Sequence, residues 1–255
     1  MLMVRLSSIA AAFSPPHSVP LMRPVQRRCW PTGFTCIEGA SRAAGSWHAA
    51  AEKTGVEFTG SFQNPKDMPN FVNLPEFCLA GRSNVGKSSA LNCLSCRKKA
   101  AAVVSKTPGR TRLLNLFKVG KVCTIVDLPG YGFAKVSKEM QGDWKKQVTA
   151  YLRRREQLKL AVVLVDAQRD PQEQDAQLLD FLEAEDIPTL VVATKTDKLG
   201  KNKLEQSLAR LHESLALPEG QPIPLSSKTA EGRREVWWAI TQMCSKQTAK
   251  KADMD

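Results

Sequence analysis

Aromatic side chains are scarce in this sequence, 6% of 255 residues with only two tyrosines. That scarcity argues against a surface that reads single strands by stacking successive bases on rings. The three histidines, His17, His48 and His212, stand outside every motif segment and are read as surface or leader residues. Histidine catalysis is thereby set aside. Acidic residues are in deficit, 25 against 37 lysines and arginines, for a formal charge of +12. No apolar run approaches the roughly 20 residues needed to span a bilayer, and no internal repeat is present. Cysteine is not rare, with seven residues, but Cys93-Leu94-Ser95-Cys96 meets no second pair and no histidine at zinc-finger spacing. Its sulfurs are therefore read as core packing.

Gly81-Arg82-Ser83-Asn84-Val85-Gly86-Lys87-Ser88, continued by Ser89, is a complete phosphate-binding loop. Two glycines bracket four free positions so that backbone N–H groups can close around phosphate oxygens. The helix that follows adds its positive dipole end. Lys87 supplies a full charge for the β- and γ-phosphates, and the Ser88 hydroxyl is placed to ligate Mg²⁺. The context fits, since Leu74–Ala80 reads as a short buried strand and Ser88–Leu94 as the start of a helix.

A second segment selects the base. Thr189–Thr194 is a β-branched run of buried-strand type that delivers Lys195-Thr196-Asp197 to its C-terminal edge. A carboxylate there accepts hydrogen bonds from the N1–H and 2-amino groups of guanine. Adenine would leave it unpaired, which disfavours an ATPase by about 10⁴-fold. The stem of Lys195 can lie along the base. Between these segments, Thr124-Ile125-Val126-Asp127-Leu128-Pro129-Gly130 is a strand ending in a carboxylate suited to Mg²⁺, directly or through water. The Gly130 N–H is free to meet a γ-phosphate, the logic of a nucleotide-sensed switch. Ser105-Lys106-Thr107-Pro108-Gly109-Arg110-Thr111-Arg112 has loop composition and two threonines able to cap the metal. Pro224-Leu225-Ser226-Ser227-Lys228 can reach the base from its other side.

Taken in order, GRSNVGKSS, TPGRTR, DLPGYGFAKVSKE, TKTD and LSSK resemble the EngB family of ribosome-assembly GTPases, over roughly Pro69 to Gln247. The DLPGYG piece with its lysine-rich helix is the discriminating one. The resemblance implies Mg²⁺ ligation by Ser88 and Thr111 with Asp127 beside them. It implies a first switch of Gly109, Arg110, Thr111, Arg112 and Leu113, and a second of Asp127, Leu128, Pro129 and Gly130. Guanine would be held by Thr194, Lys195, Thr196 and Asp197 with Leu225, Ser226 and Ser227. Lys87, Thr111, Gly130 and Asn84 would carry catalysis. Ras-type enzymes place a glutamine after the second-switch glycine to orient water, and here Tyr131 stands there. Related families with an apolar or aromatic residue at that place depend on K⁺ held by the loop asparagine, here Asn84. Slow, partner-stimulated turnover follows from the same resemblance, as does docking on the large ribosomal subunit and its rRNA. The rival function is a GTP-binding scaffold with negligible turnover.

The expected fold is α/β, a doubly wound phosphate-loop domain with a mainly parallel six-stranded sheet, covering residues 71–247 and monomeric. Remaining strands are read at Leu113–Val119, Val122–Val126 and Leu160–Val165, and helices at Glu139–Gln157, Asp170–Glu185, Lys201–Leu215 and Arg233–Cys244. Pro171 is placed in the first turn of its helix, and Trp237-Trp238 is read as a packing anchor. Met1 to Ile37 holds no acidic residue and carries Arg5, Arg23, Arg27 and Arg28 among Ser, Ala and Pro. Residues 1–50 thus read as an organelle-targeting leader, with a plastid favoured and the mitochondrion the alternative. A secretory signal is the rival, but Leu6–Phe13 is short for one. Residues 51–70 are a linker or partly ordered lead-in and 248–255 a disordered tail. Disulfides do not suit a reducing stroma or matrix. Arg97-Lys98-Lys99, Lys145-Lys146, Arg153-Arg154-Arg155 and Lys159 are candidate contacts for structured RNA backbone, with a plain solvated helix the alternative. Asp197→Asn should relax the preference for GTP over other purine nucleotides, measured by competition binding; unchanged preference would remove Asp197 from the base site.

Overall fold

A computed structural model describes residues 45–96, 113–131 and 138–252, with the side chains of 45–46, 138–145 and 245–252 left aside. Most of the leader, the switch residues Gly109, Arg110, Thr111 and Arg112, and the basic triplet Arg97-Lys98-Lys99 lie outside the described residues. The elements are α1 (Gly45–Thr54), β1 (Val56–Phe62), β2 (Glu76–Gly81), α2 (Lys87–Leu94), β3 (Leu114–Val119), β4 (Cys123–Asp127) and α3 (Lys138–Arg154). They continue as β5 (Leu158–Asp166), α4 (Glu173–Ala184), β6 (Thr189–Thr194), α5 (Lys201–Ser214), β7 (Ile223–Leu225) and α6 (Arg233–Ala252).

The strands form one sheet in the order β1-β3-β4-β2-β5-β6-β7. β4, β2, β5, β6 and β7 run parallel, while β3 is antiparallel to both β4 and β1. Successive residues of each central strand face opposite sides, as the two-residue period requires. Phe77, Leu79, Ile125, Leu160, Val162, Leu164, Leu190 and Val192 build one core with Trp237 and Ile240 of α6 and Leu91 of α2. Cys78, Ala80, Val126, Ala161, Val163, Val191 and Ala193 build the other with Tyr151 of α3, Leu182 of α4 and Leu211 of α5. Helices therefore cover both faces of the sheet, which explains why the central strands read as continuous apolar runs. Each buried Leu or Phe contributes about 1.5–3 kcal/mol.

The sheet has seven strands, one more than expected. The addition is β1, and with α1 it occupies the end of the stretch read as leader and the lead-in that follows. Trp47, Ala51 and Val56 pack into the core beneath α6, and Phe58 lies against Phe117 with ring centroids 5.4 Å apart. Two apolar residues on a single short helix carry too little periodicity to announce it. Gly45–Thr54 is secured by tertiary packing, not by its own propensity. Pro171 precedes α4 instead of lying in its first turn, because Asp175 Oδ2 accepts from the Gln172 N–H at 2.8 Å and fixes the start at Glu173. α6 runs to Ala252, into the segment read as a frayed tail. Trp237 is fully buried, donates to the Leu94 carbonyl at 3.1 Å and meets Phe77 edge-on, as its anchor reading requires.

His48 and Arg155 depart from the sequence reading. His48 is buried at 8% exposure, because α1 packs instead of trailing away. Arg155 is drawn into the interior, 3.0 Å from Glu76, a carboxylate with no exposure. It also donates to the Pro69 carbonyl at 2.8 Å, and Tyr151 and Thr124 hydroxyls donate to the same Glu76 at 2.8 and 3.2 Å. Arg153 is paired with Glu185 at 2.6 Å and lies over the Phe181 ring. Arg155 is thus a structural residue and not an RNA contact. Removing it strands a buried carboxylate at the end of β2 remote from the phosphate loop. Arg155→Ala should cost about 3–5 kcal/mol of stability in denaturant melts while leaving nucleotide affinity unchanged.

Candidate nucleotide site

The nucleotide-site residues that the sequence singled out and the structure describes gather at the C-terminal edge of the parallel strands, where α/β sheets bind ligands. The phosphate loop leaves β2 at Gly81, whose φ is +152° and where a Cβ would stand 2.8 Å from the Leu164 carbonyl of β5. Only glycine lets the strand pass that close before the loop turns. Asn84 adopts the left-handed conformation (φ 63°) and is exposed, Val85 is buried, and Gly86 caps α2. Ser88 and Ser89 are half-buried in the first turn of that helix.

Lys87 is aimed by its own loop. Its ammonium donates to the Gly81 and Arg82 carbonyls at 3.2 and 3.3 Å. Burial lowers its pKa, and the charge of Asp127 only partly offsets that effect. A buried ammonium in this condition gains strongly from an approaching phosphate, whose charge replaces lost hydration. Asp127 ends β4 beside it. It is 2% exposed, its Oδ1 has no hydrogen-bond partner, and burial pushes its pKa up to about 6 against the pull of Lys87.

The second-switch segment lies directly on the loop. Leu128, Pro129 and Gly130 are buried, and the Ser83 N–H donates to the Tyr131 carbonyl at 2.8 Å. A Cβ on Gly130 would fall 2.7 Å from the Lys87 ammonium nitrogen and 3.0 Å from the Ser83 backbone nitrogen. Any γ-phosphate that draws in Lys87 must therefore also displace or engage Gly130. The Tyr131 hydroxyl points away from this chemistry and donates to Asp175 at 2.7 Å. Leu113, 37% exposed just before β3, stands at the same edge, since the nearby Asn115 pairs with Asp127.

The base side is stapled to the phosphate side. The Thr194 hydroxyl lies 2.7 Å from the Val85 carbonyl and 3.0 Å from that of Val165. Lys195, in the left-handed conformation, donates to the Asn84 carbonyl and to Asp166, both at 2.7 Å. Thr196 is buried below a 3₁₀ turn that presents Asp197 to solvent. The Ser226 hydroxyl donates to Asp197 Oδ1 at 2.9 Å and accepts from the Thr229 N–H at 3.1 Å. Leu225 and Ser226 are buried and Ser227 is half-buried, so the last loop sits beneath Asp197 and holds its carboxylate outward. Asp166 and Asp175 are the contributors that the sequence reading left without a role. Asp166 could have been found from its place at the C-terminal end of a central strand; Asp175, inside a helix start, carried no such signal.

The chain matches the family profile described as "50S ribosome-binding GTPase" over residues 76–195. It is 46% identical over 177 residues to the probable GTP-binding protein EngB of Desulfotalea psychrophila, covering 69% of this chain and 89% of that one. The chain belongs to the EngB family of GTP-binding proteins. The EngB protein of Bacillus cereus is 42% identical over 197 residues, covering 77% of this chain and 98% of that one. A crystal structure of a probable EngB protein superposes with TM-score 0.57 at 28% identity, covering 67% of this chain and 99% of the other. The EngB fold thus carries over, and with it the GTPase class.

Whether Mg²⁺ suits these residues is decided by Asp127 and Ser88. A buried carboxylate oxygen lacking any partner and a hydroxyl in the first turn of the phosphate helix are hard oxygen donors of the kind Mg²⁺ takes. They fit the ion; Thr111 lies outside the described residues. The raised pKa of Asp127 also has a consequence for the protein without nucleotide. Its folded carboxyl keeps a proton up to about pH 6, while the ordinary carboxyl loses it at 3.8. The folded state binds the extra proton between those values, so stability falls as pH climbs through that window. Between about pH 4 and about pH 7 the nucleotide-free melting temperature should drop more for the native chain than for Asp127→Asn. Parallel pH profiles of the two would contradict a buried, destabilised carboxylate.

Proposed function

We propose that this chain is a GTP-driven switch that assists assembly of the large ribosomal subunit inside an organelle. The observation that carries the reading is the family description, a GTPase that binds the 50S ribosome. The formal charge of +12 supports an RNA-rich partner. GTP engages the loop amides and Lys87, and Asp197 takes the base while Ser226 orients it. Ser88, Thr111 and Asp127 hold Mg²⁺, which when bound neutralises charge on the β- and γ-phosphates. The second switch then exchanges its contacts with Ser83 for contacts with the γ-phosphate through Gly130, and the new surface docks on the ribosomal subunit as a monomer.

Slow intrinsic hydrolysis follows from Tyr131, whose hydroxyl is committed to Asp175 and cannot orient a water. A K⁺ ion held by Asn84, which is exposed beside the loop, supplies the missing charge, and the ribosome completes the site. The basic leader, which holds no acidic residue through Ile37, addresses the chain to the plastid, or to the mitochondrion as the alternative. A chain that binds GTP but scaffolds another complex without turnover is the competing function.

Leaderless protein should co-sediment with organellar large subunits in a non-hydrolysable GTP analogue and not in GDP. Its turnover should be faster in potassium than in sodium, with Asn84→Ala abolishing the difference. Absence of retention in either nucleotide, with GTP binding intact, would transfer the assignment to the scaffold.

A further inference from the structure

Away from the nucleotide, α1 and the end of α2 bring together two neighbouring residues of α1 and one that is far from them in sequence. His48 and Glu52 lie one turn apart on α1, with His48 Nε2 3.7 Å from Glu52 Oε1. Cys96 completes the turn that ends α2, in the left-handed conformation (φ 56°). A His48 ring nitrogen, a Glu52 carboxylate oxygen and Cys96 Sγ all lie within 4.8 Å of one another. An imidazole nitrogen, a carboxylate oxygen and a thiolate sulfur are together a donor set for a borderline divalent ion, Zn²⁺ above all. Tetrahedral Zn²⁺, with bonds of roughly 2.0–2.3 Å, holds its ligand atoms roughly 3.3–3.8 Å apart. The His48–Glu52 pair already has that spacing, and small side-chain rotations bring Cys96 to it.

A second observation distinguishes this cluster from a chance grouping. His48 is more than nine-tenths buried, yet its Nε2 has no hydrogen-bond partner. An unsatisfied buried ring nitrogen is destabilising, and a metal bond at that atom removes the cost. Burial lowers the pKa of His48 against the raising effect of Glu52, so the ring is neutral and able to ligate at neutral pH. The surroundings include an opposing charge: Arg233 of α6 lies 3.8 Å from Glu52 Oε1 and is one-quarter exposed. It holds Glu52 when no metal is present and stabilises the Cys96 thiolate, whose pKa burial otherwise raises. With His48 neutral and two anionic ligands, a divalent ion makes the site electrically neutral, and Arg233 need not be expelled. Glu52 is 52% exposed, so the cluster opens to solvent on its side.

We propose that His48, Glu52 and Cys96 form a zinc site that fastens α1 to the helix of the phosphate loop. The ion exchanges for the Cys96 thiol proton, which passes to solvent; no oxidant or reductant is needed. Cys93 is not a ligand, since its sulfur faces the Ser226 carbonyl at 3.9 Å on the side of the base-binding loop. The site makes the order of the lead-in helix depend on metal supply and places that helix under the same control as the end of α2.

The test is metal content of the tag-free full-length chain after zinc loading and desalting, alongside the visible and near-ultraviolet spectrum with Co²⁺. The native chain should retain one zinc equivalent more than His48→Ala or Cys96→Ser, and its thermal midpoint should rise with zinc where theirs does not. A thiolate-to-cobalt charge-transfer band should be lost in Cys96→Ser and kept in Cys93→Ser. Equal zinc content in the native chain and Cys96→Ser, or a band that follows Cys93, would overturn the site. Should Cys96→Ser fail to fold, His48→Ala still decides, since it keeps the thiol and must lose the equivalent.

Discussion

Lys87 and Asp127 place opposite charges side by side in an interior that favours neither, and the architecture around the nucleotide is organised to hold them there. Both are buried, and burial acts against the ionised form of each. Phosphate, and Mg²⁺ on the proposed reading, would complete the pair. Their positions are set by parallel pairing of β2 with β4 and β5, which is why Gly81 must press against the Leu164 carbonyl. An L side chain at Gly81 would move the loop and with it the ammonium.

The two halves of the site are coupled by side chains that serve both. Lys195 reaches from the base motif to the backbone of Asn84 and to Asp166, and Thr194 reaches the Val85 carbonyl. The motif expected to hold guanine and the loop expected to hold phosphate are therefore tied to each other. The second-switch segment is held by backbone hydrogen bonds from Ser83 to the Tyr131 carbonyl and from Leu128 to the Leu79 carbonyl, and Gly130 puts no side chain between it and Lys87. Asp175 links this segment to α4 by holding the Tyr131 hydroxyl while its other oxygen caps that helix.

The far end of the sheet shows the contrary use of charge. Glu76 and Arg155 are buried with their hydrogen bonds filled by Tyr151, Thr124 and the Pro69 carbonyl. Nothing there awaits a ligand, and the network fixes how the chain enters β2. His48 resembles the nucleotide site more than this network, since it is buried with a polar atom unpaired.

Much of the site was written in local order. The spacing of Gly81, Gly86, Lys87 and Ser88, the strand-end positions of Asp127 and Asp197, and the apolar runs of β2, β5 and β6 need only neighbouring residues to be legible. Such signals survive because loop geometry and two-sided burial act over a few residues. Other features depended on contacts across the chain. Arg155 lies in a run of three arginines that reads as surface charge, and only packing turned it inward to Glu76. β1 and α1 have too few apolar residues to be recognised before Phe117 and α6 are there to receive them. His48, Glu52 and Cys96 lie more than forty residues apart at their extremes, and no spacing rule joins them. The sequence by itself determined the nucleotide chemistry, since that chemistry is made by short backbone motifs. The tertiary structure alone decided which charges are buried and which cysteine faces a histidine, because burial is a property of the folded sheet and not of any segment.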